Sequence, residues 1–226
     1  RVSGVVESVR ESGPGVTEVT CRLSQGWQGH RPGQFAFVTF DRFEGAHPFT
    51  IASADRGDHR VTFQIKALGD YTKDLALRLK TGQPVRIEGP YGCFELPSGR
   101  RTRDQVWIAG GIGVTPFLAW LEALQATPEQ APDVDFYYSV RHRESDPFVS
   151  RIQTLCATLP TVRLHVMSSA RNEGLTAATL RDRHGSGKTP EIWFCGPQGL
   201  ADKLRQGLRA LGMGGVRFHQ EAFEMR

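Results

Sequence analysis

Residues 106–121 read Val106-Trp107-Ile108-Ala109-Gly110-Gly111-Ile112-Gly113-Val114-Thr115-Pro116-Phe117-Leu118-Ala119-Trp120-Leu121. Four apolar residues suit a short buried strand, the glycines suit a tight turn, and Pro116 is preset for the first turn of the apolar helix that follows. A strand that turns through glycines into a helix is the building unit of a parallel sheet covered by helices. The glycines would also let a phosphate approach the backbone N–H groups at the helix start. The spacing is not Gly-x-Gly-x-x-Gly, and similar turns occur in proteins that bind nothing, so this stretch decides fold before it decides ligand.

Downstream the same rhythm repeats. Val134 to Val140, Val162 to Met167 and Ile192 to Cys195 read as further strands, with helices predicted at 115–126, 146–157, 175–183 and 197–211 and a short final strand from Val216 to His219. Upstream the rhythm differs. Apolar residues tend to alternate at Val16, Val19, Cys21 and Leu23, at Phe35 and Phe37, at Val61, Phe63 and Ile65, and at Val85 and Ile87, between turns rich in Gly, Pro, Asp and Ser. Period-2 runs of this length predict an antiparallel sheet, closed into a barrel. One helix, Asp70 to about Leu79, interrupts them. The fold class is therefore a two-domain β plus α/β protein: an antiparallel β-barrel over 1–99, then a doubly wound parallel sheet over 103–226. The polar, basic run Ser98-Gly99-Arg100-Arg101-Thr102-Arg103 serves as hinge.

Composition narrows the function classes. Lys and Arg number 28 against 24 Asp and Glu, a net charge of +4, too weak an excess to argue for nucleic acid. Glycine is 25 of 226 residues, above the usual share of about 7%, and clusters in turns. Cys21, Cys93, Cys156 and Cys195 are widely spaced, without Cys-x-x-Cys, which speaks against a zinc site, a disulfide framework or a plant-type iron–sulfur module and for a reducing, cytoplasmic setting. Gln105 to Leu121, the longest stretch free of formal charge, is broken by Gly-Gly-Ile-Gly and Thr-Pro and does not read as a membrane span. The sequence opens on Arg1-Val2-Ser3 with neither Met nor signal peptide, as a piece cut from a longer chain would.

Three motifs in order carry the chemistry: His47-Pro48-Phe49-Thr50, the glycine turn 110–116, and Phe194-Cys195-Gly196-Pro197. Together they resemble the ferredoxin-NADP reductase superfamily over nearly the whole chain, and the His-Pro-Phe-Thr form resembles its NADPH oxidase and ferric reductase branch. The resemblance implies that Phe49 packs on the isoalloxazine of FAD, Thr50 reaches its N5 region, and His47 meets the pyrophosphate, where most soluble reductases carry Arg and Tyr in place of His47 and Phe49. Pro48, Ile65, Lys66, Gly69 and Thr72 complete the FAD site, with Thr72 or Asp70 alternatively just capping the helix. Gly110, Gly111, Gly113, Val114, Thr115 and Pro116 are expected at the dinucleotide pyrophosphate. Ser139 and Arg141 are expected at the adenosine end, where the absence of an acidic residue at the strand end and the presence of Arg141 and Arg143 favour NADPH over NADH. Cys195, Gly196 and Pro197 are implied beside the nicotinamide, and Thr50, Cys195, Glu221 and Phe223 around the point of hydride transfer.

The implied activity is an NAD(P)H-dependent FAD-containing oxidoreductase that takes hydride from NADPH and passes single electrons onward. The His-Pro-Phe-Thr form and the start at Arg1 point to haem in a transmembrane domain upstream, outside this chain, as the acceptor, with oxygen or ferric iron beyond it. That would place the chain on the cytoplasmic face of a membrane. The alternatives are a free-standing ferredoxin, flavodoxin or flavin reductase and a redox-sensing regulatory subunit.

Overall fold

A computed structural model describes residues 1–97, 104–187 and 189–221. The proposed hinge Ser98–Arg103 and the proposed flavin-covering Phe223 lie outside the described residues. Among the described residues two compact units are present: Arg1–Leu96 together with Thr115–Ala123, and Pro97–Val114 together with 124–221.

In the first unit β1 (Val2–Gly13), β2 (Val16–Leu23), β3 (Phe35–Thr39), β4 (His47–Thr50), β5 (Arg60–Lys66) and β6 (Pro84–Tyr91) form one six-stranded sheet in the order β4-β3-β6-β1-β2-β5. Every pairing is antiparallel. The two outer strands are drawn together just past β4, where the Ala52 N–H donates to the Thr62 carbonyl at 2.8 Å and the Thr62 N–H donates to Ser53 Oγ at 3.1 Å. Alternation puts Val19, Cys21, Ala36, Val38, Val61, Phe63, Ile65, Val85 and Ile87 into one core, each such side chain contributing about 1.5–3 kcal/mol for the larger ones. Helix α1 (Asp70–Arg78) closes this core with Leu75. Helix α2 (Thr115–Ala126) packs here through Trp120, whose ring stacks on Phe94 at 4.9 Å and whose Nε1 donates to the Pro32 carbonyl at 3.1 Å.

The second unit is a five-stranded parallel sheet ordered β11-β10-β7-β8-β9, from β7 (Gln105–Gly110), β8 (Val134–Val140), β9 (Val162–Ser168), β10 (Glu191–Cys195) and β11 (Arg217–Gln220). All residues of β7 and β10 are buried, as central strands covered on both faces must be. Helices α4 (Ala177–His184) and α5 (Gln198–Ala210) cover one face, burying Leu180, Ala201, Leu204 and Leu208 with Val106, Ile108, Ile192 and Phe194. Helix α3 (Val149–Ala157) starts later than the sequence predicts, because the Asp146 carboxylate takes the N–H groups of Phe148 and Val149 and so forms a cap ahead of the helix.

Candidate functional site

The His-Pro-Phe-Thr stretch is β4 itself, and a strand shows alternate residues to opposite faces. Its register against β3 sets His47 opposite Val38, Pro48 opposite Phe37, Phe49 opposite Ala36 and Thr50 opposite Phe35. Ala36 and Val38 face the core, and Phe49 joins them: it is 4% exposed, with its ring 6.3 Å from Phe40 and 6.2 Å from Phe63. Where the sequence expectation sets Phe49 on a flavin, the structure places its ring among core side chains. Pro48 and Thr50 share the other face with Phe35 and Phe37. Phe35, Phe37 and Tyr91 form an aromatic group there with centroids 5.7 to 5.9 Å apart, and Phe37 and Tyr91 are exposed. Thr50 is half-buried, and its hydroxyl has no protein partner among the described residues.

His47 sits at the rim of the core, held in two ways. Its ring lies parallel to Tyr71 of α1 at 3.8 Å and 17°, and its Nε2 meets the Glu44 carbonyl at 3.2 Å. Sequence reading missed Tyr71, although its place two residues after Gly69 and beside Thr72 was a usable signal. Ile65, 1% exposed, turns its side chain into the core with Val61 and Phe63, which leaves only its backbone to a ligand. Lys66, the next residue, is exposed and without an ion-pair partner among the described residues. Thr72 is the cap that the alternative anticipated. Its Oγ1 accepts the N–H groups of Leu68 at 2.9 Å and Gly69 at 3.1 Å and lies 3.2 Å from the Gly69 carbonyl, which leaves the hydroxyl no capacity for a phosphate. The space over Gly69 is open: a Cβ there would meet nothing within 4 Å. The exposed Lys66 ammonium and the N–H groups that open α1 beyond Gly69 suit a phosphate, and the Thr50 hydroxyl suits a polar ring edge, so these residue types fit FAD.

In the parallel sheet, β7 has β8 on one side and β10 on the other, so chain direction diverges between β7 and β10 and leaves a crevice beyond their C-terminal ends. The predicted residues gather there. Gly110 pairs with Ser139 in register, and Cys195 with Ala109. Two of the glycines, however, serve the packing of turn on turn. A Cβ on Gly113 would overlap the Cys195 carbonyl, and one on Gly110 would meet Pro197 Cδ at 2.7 Å. The side chains of Val114, Thr115 and Pro116 are buried, so any approach of a dinucleotide to them is by way of the backbone. Gly111 differs: its φ is +53°, and nothing lies within 4 Å of a Cβ there. It and Ile112 are the accessible tip of the turn. Sequence reading also missed Tyr138, whose hydroxyl lies 2.9 Å from Asp146 Oδ1 and 3.3 Å from the Gly111 carbonyl, tying β8 and the start of α3 to the glycine turn.

Just past β8, Arg141 is exposed and its guanidinium has no partner among the described residues, whereas Glu144 is paired with Arg171. Ser139 is half-buried beside it. At the end of β10 the Cys195 thiol is 6% exposed, and burial, with the Glu221 charge adding to it, pushes it up to about 12. A thiol so held stays protonated near neutrality and is no nucleophile. Glu221 follows β11, with its N–H donating to the Phe194 carbonyl at 3.3 Å, and burial pushes its carboxyl up to about 7. Such a group can hold or release a proton near neutral pH. Among the described residues no cluster of His, Cys, Asp and Glu could hold a metal ion, and no helix is long and apolar enough to cross a membrane.

Known proteins resemble the two units separately and together. Residues 5–95 match a family model described as an FAD-binding domain, and residues 107–206 match one described as an oxidoreductase NAD-binding domain. The toluate 1,2-dioxygenase electron transfer component of Pseudomonas putida is 25% identical over 199 residues, 85% of this chain and 58% of that protein. Methane monooxygenase component C of Methylosinus trichosporium is 30% identical over 155 residues, 67% of this chain and 45% of that protein. The chain thus spans about half the length of these curated relatives. A ferredoxin NADP+ reductase from Neisseria gonorrhoeae, solved with FAD and NADP, superposes with a TM-score of 0.75 at 18% identity, over 97% of each chain, and shares the fold.

Proposed function

From the premise that this chain is an FAD- and NAD-binding oxidoreductase of ferredoxin reductase-like fold, we propose that it serves as the reductase component of an electron-transfer system, oxidising NADPH and delivering electrons to a separate protein acceptor of the oxygenase type. The observation that carries the acceptor class is the relatives: the curated proteins it resembles include electron transfer components of dioxygenases and reductase components of monooxygenases.

FAD, when bound, supplies the chemistry that accepts one hydride, an electron pair with its proton, and releases the two electrons one at a time. The protein binds and orients. Thr50 offers its hydroxyl beside the aromatic face of β3 and β6, and His47, Lys66 and the backbone N–H groups at the start of α1 hold the pyrophosphate. Gly111 lets the dinucleotide backbone approach β7, and Arg141 pairs with a 2′-phosphate, which selects NADPH over NADH. The Cys195 thiol, neutral and buried, sets the approach of the nicotinamide by packing. Glu221 holds a proton at its carboxyl near neutrality.

A second reading makes this chain the dehydrogenase part of an NADPH oxidase or ferric reductase that passes electrons to haem in a membrane domain outside it. The single observation that favours it is the His47-Pro48-Phe49-Thr50 form, which resembles that branch. One experiment separates the two. The flavin is reduced with NADPH without oxygen, and an oxidised [2Fe–2S] protein is then added. Fast, saturable reoxidation supports the reductase component. Reoxidation only by oxygen or ferric chelates, at unsaturable rates, overturns it in favour of the second reading.

A further inference from the structure

We propose that the outer face of the barrel sheet, centred on Phe37 and Tyr91, is where an acidic one-electron acceptor protein docks. The inference rests on the reductase reading above and names the surface that its partner uses. Side chains that leave the core on β3 and β6 come out side by side: Phe35 lies opposite Tyr91, Phe37 opposite Glu88 and Thr39 opposite Arg86. Among the described residues Phe37 and Tyr91 are two of the few large apolar side chains left exposed, and their rings meet edge to face with centroids 5.9 Å apart. Their arrangement is held. Tyr91 donates its hydroxyl to Glu88 Oε1 at 3.1 Å, and Arg1 Nε donates to Glu88 Oε2 at 2.6 Å. Aromatic side chains that are already ordered, with an arginine beside them, are the usual centre of a protein interface.

The charge around the rings gives the partner its sign. Glu88 is matched by Arg1, and Glu7 of β1 by Arg60 at 2.7 Å. Arg86, beside Thr39, and Arg22 of β2, opposite Val5, are exposed and without an ion-pair partner among the described residues. The face therefore carries uncompensated positive charge at the rim of an aromatic centre, which draws in an acidic surface and orients it. Turnover also asks for a contact that is small and reversible. NADPH gives up a hydride, two electrons with one proton, whereas an iron–sulfur protein takes one electron. Two acceptors must dock and leave for each NADPH, each gaining one electron, while the proton goes to water. Redox partners that exchange in this way use small interfaces.

The test compares the parent with Phe37→Ser and Arg86→Glu, using a plant-type [2Fe–2S] ferredoxin of net negative charge as protein acceptor and ferricyanide as a small one. KM for the ferredoxin should rise about tenfold in each variant at low salt, with ferricyanide kcat and flavin absorbance at parent values. The Arg86→Glu defect should shrink as salt is raised toward about 1 M, where the screening length falls to about 3 Å, and that of Phe37→Ser should persist. A parent-like KM for ferredoxin in either variant overturns the docking face and leaves the reductase reading standing. Loss of flavin from either variant also overturns it, since the face would then belong to the cofactor. Ferredoxin reduction by the parent that does not saturate overturns both.

Discussion

The two motif regions use their residues in opposite ways. In the barrel the motif is a strand, so its residues divide between two faces: Phe49 goes into the core while Thr50 and Pro48 face outward. In the parallel sheet the motifs are turns beyond the strand ends, so whole stretches reach the crevice together, and the residues lost to ligand binding are lost by packing of one turn on the other, as at Gly113. A strand motif therefore offers about half its residues to a ligand, whereas a turn motif offers only those its neighbour leaves open.

The contrast breaks most visibly at Phe49. Phe49→Ala should cost about 3–5 kcal/mol of stability by opening a core cavity, seen as a lower denaturant midpoint, while the folded fraction keeps its flavin affinity. A stable variant with lost flavin affinity would return Phe49 to the cofactor face. Next comes Gly113→Ala, in which the methyl must displace the Cys195 carbonyl; about 3 kcal/mol is expected, the upper end for overpacking. Gly111→Ala should cost only the roughly 1–2 kcal/mol of a left-handed residue. Equal losses would mean that the turn-on-turn contact yields easily. Arg141→Ala should raise KM for NADPH by a factor corresponding to roughly 1.5–3 kcal/mol and leave KM for NADH near its parent value. Equal changes for both dinucleotides would remove Arg141 from the site.

The smallest effect is expected at Glu221. Its carboxyl is held above the usual carboxylate range in the folded protein, so the folded state binds more protons than the unfolded chain between about pH 4.5 and 7. Stability contributed by the neutral form is full below that window and is lost as pH rises through about 7. Glu221→Gln should therefore unfold at a higher temperature than the parent at pH 8 and at nearly the same temperature at pH 4.5. Discounted for the solvent that still reaches the group, the difference is on the order of 1 kcal/mol. A variant that is less stable than the parent at pH 8 would refute the assignment.

The architecture was legible because both periodicities are strong. Helix α2 falls at 115–126 as read, and the strands of the parallel sheet fall within a residue or two of their expected bounds. Side-chain direction was harder. Phe35, Ala36, Phe37 and Val38 are all apolar, so composition alone does not say which pair faces the core, and the orientation of Phe49 across from Ala36 is fixed only by register. At Ile65 the signal was present, since its alternation with Val61 and Phe63 already marks the core face. The partners of Gly113 come from 82 residues further along the chain, and no local pattern reveals such a contact. Tyr138 and Asp146 share that difficulty, although Asp146 before a helix is an ordinary cap signal.

The tie from Tyr138 to the Gly111 carbonyl bears on how much a dinucleotide gains by docking there. A glycine turn is the part of a chain with the most freedom to lose, and a ligand that had to order it would surrender affinity in doing so. Here the peptide plane at Gly111 is anchored from the neighbouring strand. The loss of freedom is therefore charged to folding, and the binding surface is preorganised before its ligand arrives.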